Sequence, residues 1–281
     1  MRVAAVQLNS GADRERNIRR AAELVAAAAA EGAELVVLPE KWDLLGAGAM
    51  LAQRAKPLDG AAISAARRWA RELAVAIVAG SVAERLSDDD RIANTSVLIA
   101  ADGAVVATYR KIHMFDVDVG GVSYRESEHE REGEEIVVAD AGLGLDLGLS
   151  VCYDLRFPEL FRILALRGAG LVTLPSAFTA ATGEPHWEPL LRARAIENQL
   201  FMVAANQWGH AAPDYDSWGH SMVVDPWGRI LAVCEPGEGL AIADLDPGEI
   251  ARVRSELPSL ASRRPAAYRW PAGDPAIGAH A

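Results

Sequence analysis

The sequence predicts an α/β protein folded as a four-layer αββα sandwich, with two sheets face to face, helices outside each, and an internal pseudo-two-fold repeat. Three observations lead there. Short unbroken apolar runs, which suit buried parallel strands, alternate with stretches of helical periodicity. Hairpin signals interrupt the alternation, which argues against a barrel of simple repeats. The second half also echoes the first: Glu31-Gly-Ala-Glu-Leu-Val-Val-Leu-Pro39 is matched by Arg167-Gly-Ala-Gly-Leu-Val-Thr-Leu-Pro175.

The elements follow in order. Val3 to Leu8 reads as a first buried strand. Arg16 to Ala30 carries helical periodicity, and Gly32 stops it. Leu35 to Leu38 is a short continuous apolar run of the parallel-strand type. Ala61 to Leu73 is a second helix, followed by the strand Val75–Ala79. Thr95–Ala100 and Ala104–Tyr109 are strands joined by the turn Ala101-Asp-Gly103. That hairpin is matched in the second half by Met222 to Leu231, whose turn is Asp225-Pro-Trp-Gly228. In this repeat Ser176 takes the place that Glu40 holds in the first half. No linker composition occurs between Met1 and Trp270, so one domain is expected over 1–270, with 271–281 as a flexible tail.

Composition narrows the function. A 281-residue chain that is 51% hydrophobic can bury a large core. Its net charge of -11 leaves no basic patch to displace counterions from nucleic acid. The alanine run Ala26 to Ala30 is broken by Glu31, so no membrane span is expected. Met1 to Gln7 is strand-like and too short for the core of a signal peptide. Two cysteines do not make a disulfide framework, and a reducing cytoplasm is the expected compartment. No Gly-rich phosphate fingerprint follows a first strand, and His129 in the acid-rich segment 116–135 has no ligand spacing around it. Neither a cofactor nor a metal is expected.

Three reactive groups end apolar strands. Glu40 follows Leu35-Val-Val-Leu-Pro39, Lys111 follows Ala104 to Arg110, and Cys152 follows Leu145 to Val151. A helix is expected to open just after Cys152, and its unpaired N–H groups would favour a thiolate and hold an oxyanion. Amide hydrolysis needs a nucleophile, stabilisation of the oxyanion, and a proton for the leaving nitrogen. Cys152 suits the first, Lys111 with the Tyr153 N–H the second, and Glu40 the third. Each residue alone reads more readily as a structural one: a buried thiol like Cys234, a capping acid, a surface amine. It is their shared placement at strand ends that points to a hydrolase. His113 and His220 lack the partners that a Cys–His protease would need.

These motifs resemble the nitrilase superfamily of carbon–nitrogen hydrolases. Glu34-Leu-Val-Val-Leu-Pro-Glu40 is similar to its glutamate motif, Tyr109-Arg-Lys-Ile-His-Met-Phe115 to its lysine motif, and Val151 to Glu159 to its cysteine motif. The resemblance runs from Met1 to about Trp270. It implies the αββα sandwich, a Glu40–Lys111–Cys152 triad, a homo-oligomer of unstated size, and Val253 to Trp270 as an exchanged or docking tail. It also implies a second glutamate near the lysine, best matched by Glu126. The loop there is one residue shorter than the family pattern, with Gly120-Gly121 where Pro-Gly is usual, so Glu128 remains a rival. Ser176-Ala-Phe-Thr179 followed by His186-Trp-Glu188 is similar to the branch of deaminated glutathione amidases and omega-amidases. That branch implies a small, carboxylate-bearing 2-oxo acid amide as substrate, cleaved to acid and ammonia through a cysteine thioester.

Substrate contacts are expected from Arg156, Ser176, Phe178, Thr179, Trp187 and Asn206, which follow or end the strands near the nucleophile. Arg156 either clamps a substrate carboxylate or pairs with Asp154 or Glu159 to stiffen the corner, the second reading being slightly preferred. Arg192, Arg194 and Glu197 share one helix and read as scaffold or subunit contact. The same triad would serve a nitrilase or an N-carbamoyl amidohydrolase. A non-catalytic scaffold of the same fold is the alternative from a different class.

Overall fold

The computed structural model describes residues 1–119, 121–212 and 215–268. The expected tail, 271–281, lies outside the described residues. In chain order the strands and helices are β1 (Arg2–Gln7), α1 (Arg14–Ala30), β2 (Leu35–Val37), α2 (Gly48–Arg54), α3 (Ala61–Leu73), β3 (Ala76–Val78), β4 (Val82–Arg85), β5 (Ile92–Ile99), β6 (Val105–Arg110), β7 (Asp116–Val119) and β8 (Val122–Arg125). The second half continues with β9 (Val138–Asp140), β10 (Asp146–Leu149), α4 (Pro158–Leu166), β11 (Leu171–Ser176), α5 (Ala180–Asn198), β12 (Phe201–Asn206), β13 (Trp208–Ala212), β14 (Tyr215–Trp218), β15 (Met222–Val224), β16 (Ile230–Val233), β17 (Gly239–Asp244) and α6 (Gly248–Glu256).

The first sheet runs β17-β1-β2-β3-β5-β4, with β6 also paired to β5. Its centre is parallel, Val3 beside Leu35 and Leu35 beside Ala76, and both flanks are antiparallel. The second sheet runs β16-β15-β12-β11-β10-β9, again with a parallel centre between antiparallel flanks. The central elements of the two halves therefore match. β1, β2 and β3 with their crossovers α1 and α3 correspond to β10, β11 and β12 with α4 and α5. The β5–β6 hairpin corresponds to β15–β16. Parallel neighbours need a crossover, which explains why helices appear at those four places.

Alternation along the strands builds the layers. Ala4, Val6 and Val36 pack with α1 and α3 residues such as Val25, Ile63 and Trp69. Val3, Ala5, Leu35 and Val37 point the other way, into a core shared with Leu171, Val203 and Val223 of the second sheet. On the far side of that sheet lie Phe161 and Leu164 of α4 and Leu191 of α5. Successive side chains on a strand face opposite ways, so near-unbroken apolar runs are what a doubly covered sheet requires. At ~25 cal/mol per Å² of apolar surface, each large buried side chain such as Trp42 or Phe161 contributes roughly 2 kcal/mol.

The segment after Cys152 departs from expectation. It forms a short 3-10 turn, Cys152–Arg156, and α4 begins only at Pro158. Proline at that first helical position, with no N–H to lose, starts α4 away from the thiol. Among the described residues no helix is long and apolar enough to cross a membrane.

Candidate active site

Glu40 leaves β2 after Pro39 and is buried. The approach is tight: a Cβ on Gly80 would lie 2.0 Å from the Pro39 carbonyl oxygen, so only glycine fits beside this turn. Glu40 Oε1 accepts from Asn94 Nδ2 at 2.8 Å and from Lys111 Nζ at 3.2 Å. Its Oε2 accepts from the Ala177 N–H at 2.8 Å. Lys111, one residue past β6, is likewise buried and donates to Glu126 Oε2 at 2.7 Å. Glu126 also takes the Phe115 N–H at 2.8 Å. Glu126, and not Glu128, is thus the acid beside Lys111.

Cys152 sits at the start of its 3-10 turn with φ of 47°. That left-handed backbone is strained for any side chain other than glycine, asparagine or aspartate, and residues held so tend to occupy functional sites. Asp154 holds the corner. It is fully buried, takes the Val151 N–H and the Tyr109 hydroxyl on one oxygen at 2.8 and 2.7 Å, and takes His113 Nδ1 on the other at 2.7 Å. Arg194 of α5 braces the same turn from behind, donating to the Leu155 carbonyl at 3.0 Å while pairing with Glu197 at 2.8 Å. Tyr153 lies in the first turn, where N–H groups have no carbonyl partner within the turn itself.

Glu40, Lys111, Glu126, Cys152 and Tyr153 line one cavity of about 50 Å³. Burial is the largest influence on the Cys152 thiol and, with Glu40 beside it, pushes the thiol well above the ordinary cysteine value, against the pull of Lys111. This direction is opposite to that expected from a helix-stabilised thiolate. The α-helix opens only at Pro158, and Glu40 beside the thiol opposes a second negative charge. Burial also opposes the Lys111 ammonium, but Glu126 and Glu40 outweigh it and raise its pKa well above the usual lysine value. For Glu126 burial is overcome by Lys111 and Lys41, which hold its carboxyl far below the usual carboxylate range.

The substrate-contact expectations divide. Arg156, Phe178 and Thr179 line the cavity. The Arg156 guanidinium lies 5.1 Å from the Phe178 ring centroid and 3.3 Å from His186 Nδ1. It pairs with neither Asp154 nor Glu159, because Asp154 is already occupied by Tyr109, His113 and the Val151 N–H. Ser176, Trp187 and Asn206 do not reach the cavity. Ser176 contributes its carbonyl, which accepts from the Gln207 N–H at 2.9 Å and joins the two strand ends. Asn206 spends its amide on the Phe178 N–H at 2.9 Å and the Gly219 carbonyl at 2.7 Å, so it positions the Phe178 loop. Trp187 packs behind Phe178 with ring centroids 5.2 Å apart, its indole N–H bound to the His220 carbonyl at 2.8 Å. His113 does have an acid partner, contrary to expectation, but it stacks on Phe157 behind the corner and does not line the cavity.

Two charged residues were not anticipated. Lys41 (φ 52°) donates to Glu126 Oε1 at 3.1 Å and to Glu130 Oε1 at 2.6 Å. A lysine after a strand end and a glutamate in an acid-rich loop both resemble solvated charges. Only the tertiary fold brings them inside. Among the described residues no group of three or more His, Cys, Asp or Glu side chains is arranged to hold a metal ion.

Comparison with known proteins agrees with this geometry. The chain is 43% identical over 274 residues to human deaminated glutathione amidase, covering 95% of this chain and 83% of that protein. It is 37% identical over 273 residues to the chloroplastic omega-amidase of Arabidopsis thaliana, covering 95% and 73%. Among solved structures, Nit3 of Saccharomyces cerevisiae, from branch 10 of the nitrilase superfamily, superposes with a TM-score of 0.85 at 31% identity, covering 95% of this chain and 97% of that one. The carbon-nitrogen hydrolase family model matches residues 2–255. With two facing sheets and a cavity that gathers thiol, ammonium and carboxylates, the chain belongs to the carbon–nitrogen hydrolase family of the nitrilase superfamily, as an amidase.

Proposed function

We propose that the protein hydrolyses the carboxamide of a small, carboxylate-bearing 2-oxo acid through a Cys152 thioester, as a deaminated glutathione amidase or an omega-amidase. The observation that supports it most is the Lys111 ammonium held between Glu40 and Glu126 at the wall of the cavity that Cys152 enters. In the first step the Cys152 sulfur attacks the amide carbon and its proton passes to Glu40 Oε. Burial and Glu40 oppose the thiolate, which favours that transfer, and Glu40 is held for it by Asn94 and Ala177. The oxyanion is stabilised by the Lys111 ammonium and the Tyr153 N–H. Glu40 returns the proton to the nitrogen as the C–N bond breaks, leaving an acyl-enzyme. It then takes a proton from water, whose hydroxyl adds to the thioester carbon, and the sulfur leaves and recovers its proton.

Arg156 supports the carboxylate-bearing substrate. Its guanidinium sits in the cavity wall against Phe178, with no carboxylate paired to it among the described residues. Lys111 favours an oxyanion without a metal or cofactor, and both free cysteines, Cys152 and Cys234, suit a reducing, cytoplasmic compartment. The exposed apolar side chains Ile163 and Leu166 on α4 and Ile196 on α5 favour a homo-oligomer. The test is a product-release panel over alpha-ketoglutaramate, deaminated glutathione, simple aliphatic amides and nitriles, run on the protein and on Cys152→Ala. Turnover confined to the carboxylate-bearing amides and abolished in a folded Cys152→Ala is expected. Substantial turnover in that variant, or a preference for nitriles, would overturn the reading.

A further inference from the structure

The buried charges do not stop at Glu126. Lys41 directly follows Glu40, and its left-handed backbone turns the side chain away from Glu40 toward the other oxygen of Glu126. Its backbone N–H is tied to Ser81 Oγ at 3.1 Å, so the turn is anchored. Glu126 is thereby clamped between two ammonium groups, Lys111 on Oε2 at 2.7 Å and Lys41 on Oε1 at 3.1 Å. Lys41 in turn is shared with Glu130 Oε1, at the shorter distance of 2.6 Å. Glu130 is held by backbone bonds on both sides, being bridged to Ile92 of β5. Its other oxygen, Oε2, is buried and has no hydrogen-bond partner. An ionised carboxylate with one oxygen stripped of donors is costly, whereas a proton on that oxygen removes most of the cost.

We propose that Lys41 and Glu130 are a positioning pair for the amide-cleaving site, in which Lys41 fixes Glu126 from the side opposite Lys111 and the protonation of Glu130 sets how firmly it does so. This rests on the amidase reading above. When Glu130 is neutral, Lys41 is left to Glu126, which stays fixed and holds Lys111 toward the oxyanion. When Glu130 ionises, it competes for the same ammonium, and Glu126 loosens. Counting Glu40, Glu126 and Glu130 against Lys41 and Lys111, the cluster passes from balanced to one negative charge in excess. That excess opposes the charge that develops on the sulfur and the oxyanion.

The groups acting on Glu130 are Glu126, Lys41 and Lys111, with Tyr124, Arg125, Glu128 and His129 on the same cleft wall. Burial and then Glu126 push the Glu130 carboxyl up to about 7, against Lys41 and Lys111. Lys41 stays charged, because Glu130 and Glu126 outweigh its burial and raise it well above the usual lysine value. The switch in charge therefore belongs to Glu130 and falls in the neutral range. A cleft of about 340 Å³ lies beyond, bounded by Lys41, Tyr124, Glu126 and Glu130.

The test is steady-state amide hydrolysis by the wild-type protein, K41M, E130Q and K41M/E130Q, from pH 5.5 to 9. Each variant is checked by circular dichroism and thermal unfolding. K41M is expected to lose about tenfold or more in kcat, the worth of one buried charge-assisted bond, with KM nearly unchanged. E130Q keeps the wild-type kcat on the acid side and lacks the decline that the wild type shows through neutrality. The double variant recovers only the part of the K41M loss that comes from leaving Glu130 without its ammonium, because Glu126 Oε1 still lacks Lys41. A folded K41M with wild-type kcat, or an E130Q profile that superimposes on the wild type, overturns the proposal. So does a loss in E130Q that is uniform across pH, which a packing role alone would give. A wild-type protein without turnover on any amide would instead overturn the amidase reading, so the two failures are distinct.

Discussion

Glu40 receives three donors, and only one of its contacts is a charge. That arrangement fixes the carboxylate in the cavity wall. Glu40→Gln preserves its size and some of these bonds but cannot accept the thiol proton. We expect kcat to fall by about 10²–10⁴-fold with the fold intact, measured by product release and circular dichroism. Wild-type turnover in this variant would remove Glu40 from the mechanism. Arg156 is expected to act on affinity. Arg156→Met should raise KM for carboxylate-bearing amides by about tenfold or more, from loss of a charge-assisted contact, and leave a neutral aliphatic amide unchanged. Equal effects on both substrates would assign Arg156 to the wall alone.

At the scale of elements, what could be read from the residues is the ending of strands, because apolar runs stop where the chain leaves the sheet. Glu40, Lys111 and Cys152 end such runs and meet in one cavity. The same reasoning put Ser176 and Asn206 there too, and they face away. A strand end tells where a residue is, but its side chain's direction is set by register and by the turn that follows. Lys41 shows the point from the other side, since a backbone at φ 52° redirects a charge that composition would leave in water. The Asp154 clamp was equally invisible, because Tyr109, His113 and Asp154 converge only once β6 and the Cys152 turn are in place. Asp154→Ala removes the acceptor of two buried donors, the Val151 N–H and the Tyr109 hydroxyl, and the partner of the half-buried His113 ring and backbone N–H. A loss of about 3 kcal/mol or more in unfolding free energy is expected by urea titration, together with a disordered nucleophile. A loss below about 1 kcal/mol would show that the turn holds itself.

For the whole molecule, the buried charge cluster makes stability depend on pH in two opposite ways. Glu126 has a depressed carboxyl pKa in the folded state, so its contribution is present above the unfolded value and is lost as pH falls through the folded one. Glu130 is the reverse. Its folded value, about 7, lies above the ordinary 4.5, so the folded state binds the extra proton between them. Its contribution is full below the lower value and is lost as pH rises through the upper. Urea unfolding of wild type and Glu130→Gln across this range should give a difference that slopes down with pH inside the window and is level outside it. A level difference throughout would show that Glu130 titrates normally.

The pairing of β17 with β1 carries one more consequence. Arg2 lies beside Asp244 and Gln7 beside Gly239, so β1 is completed by a strand that follows it far along the sequence. The β1 edge of the first sheet stays open until β17 has been made, and closing it joins residues distant in sequence, a slow kind of closure. Nascent chains halted before residue 239 should therefore be cut readily by protease near their beginning, and chains released past Asp244 should resist. Early resistance in the halted chains would mean that the opening strand is already protected by something other than its distant neighbour.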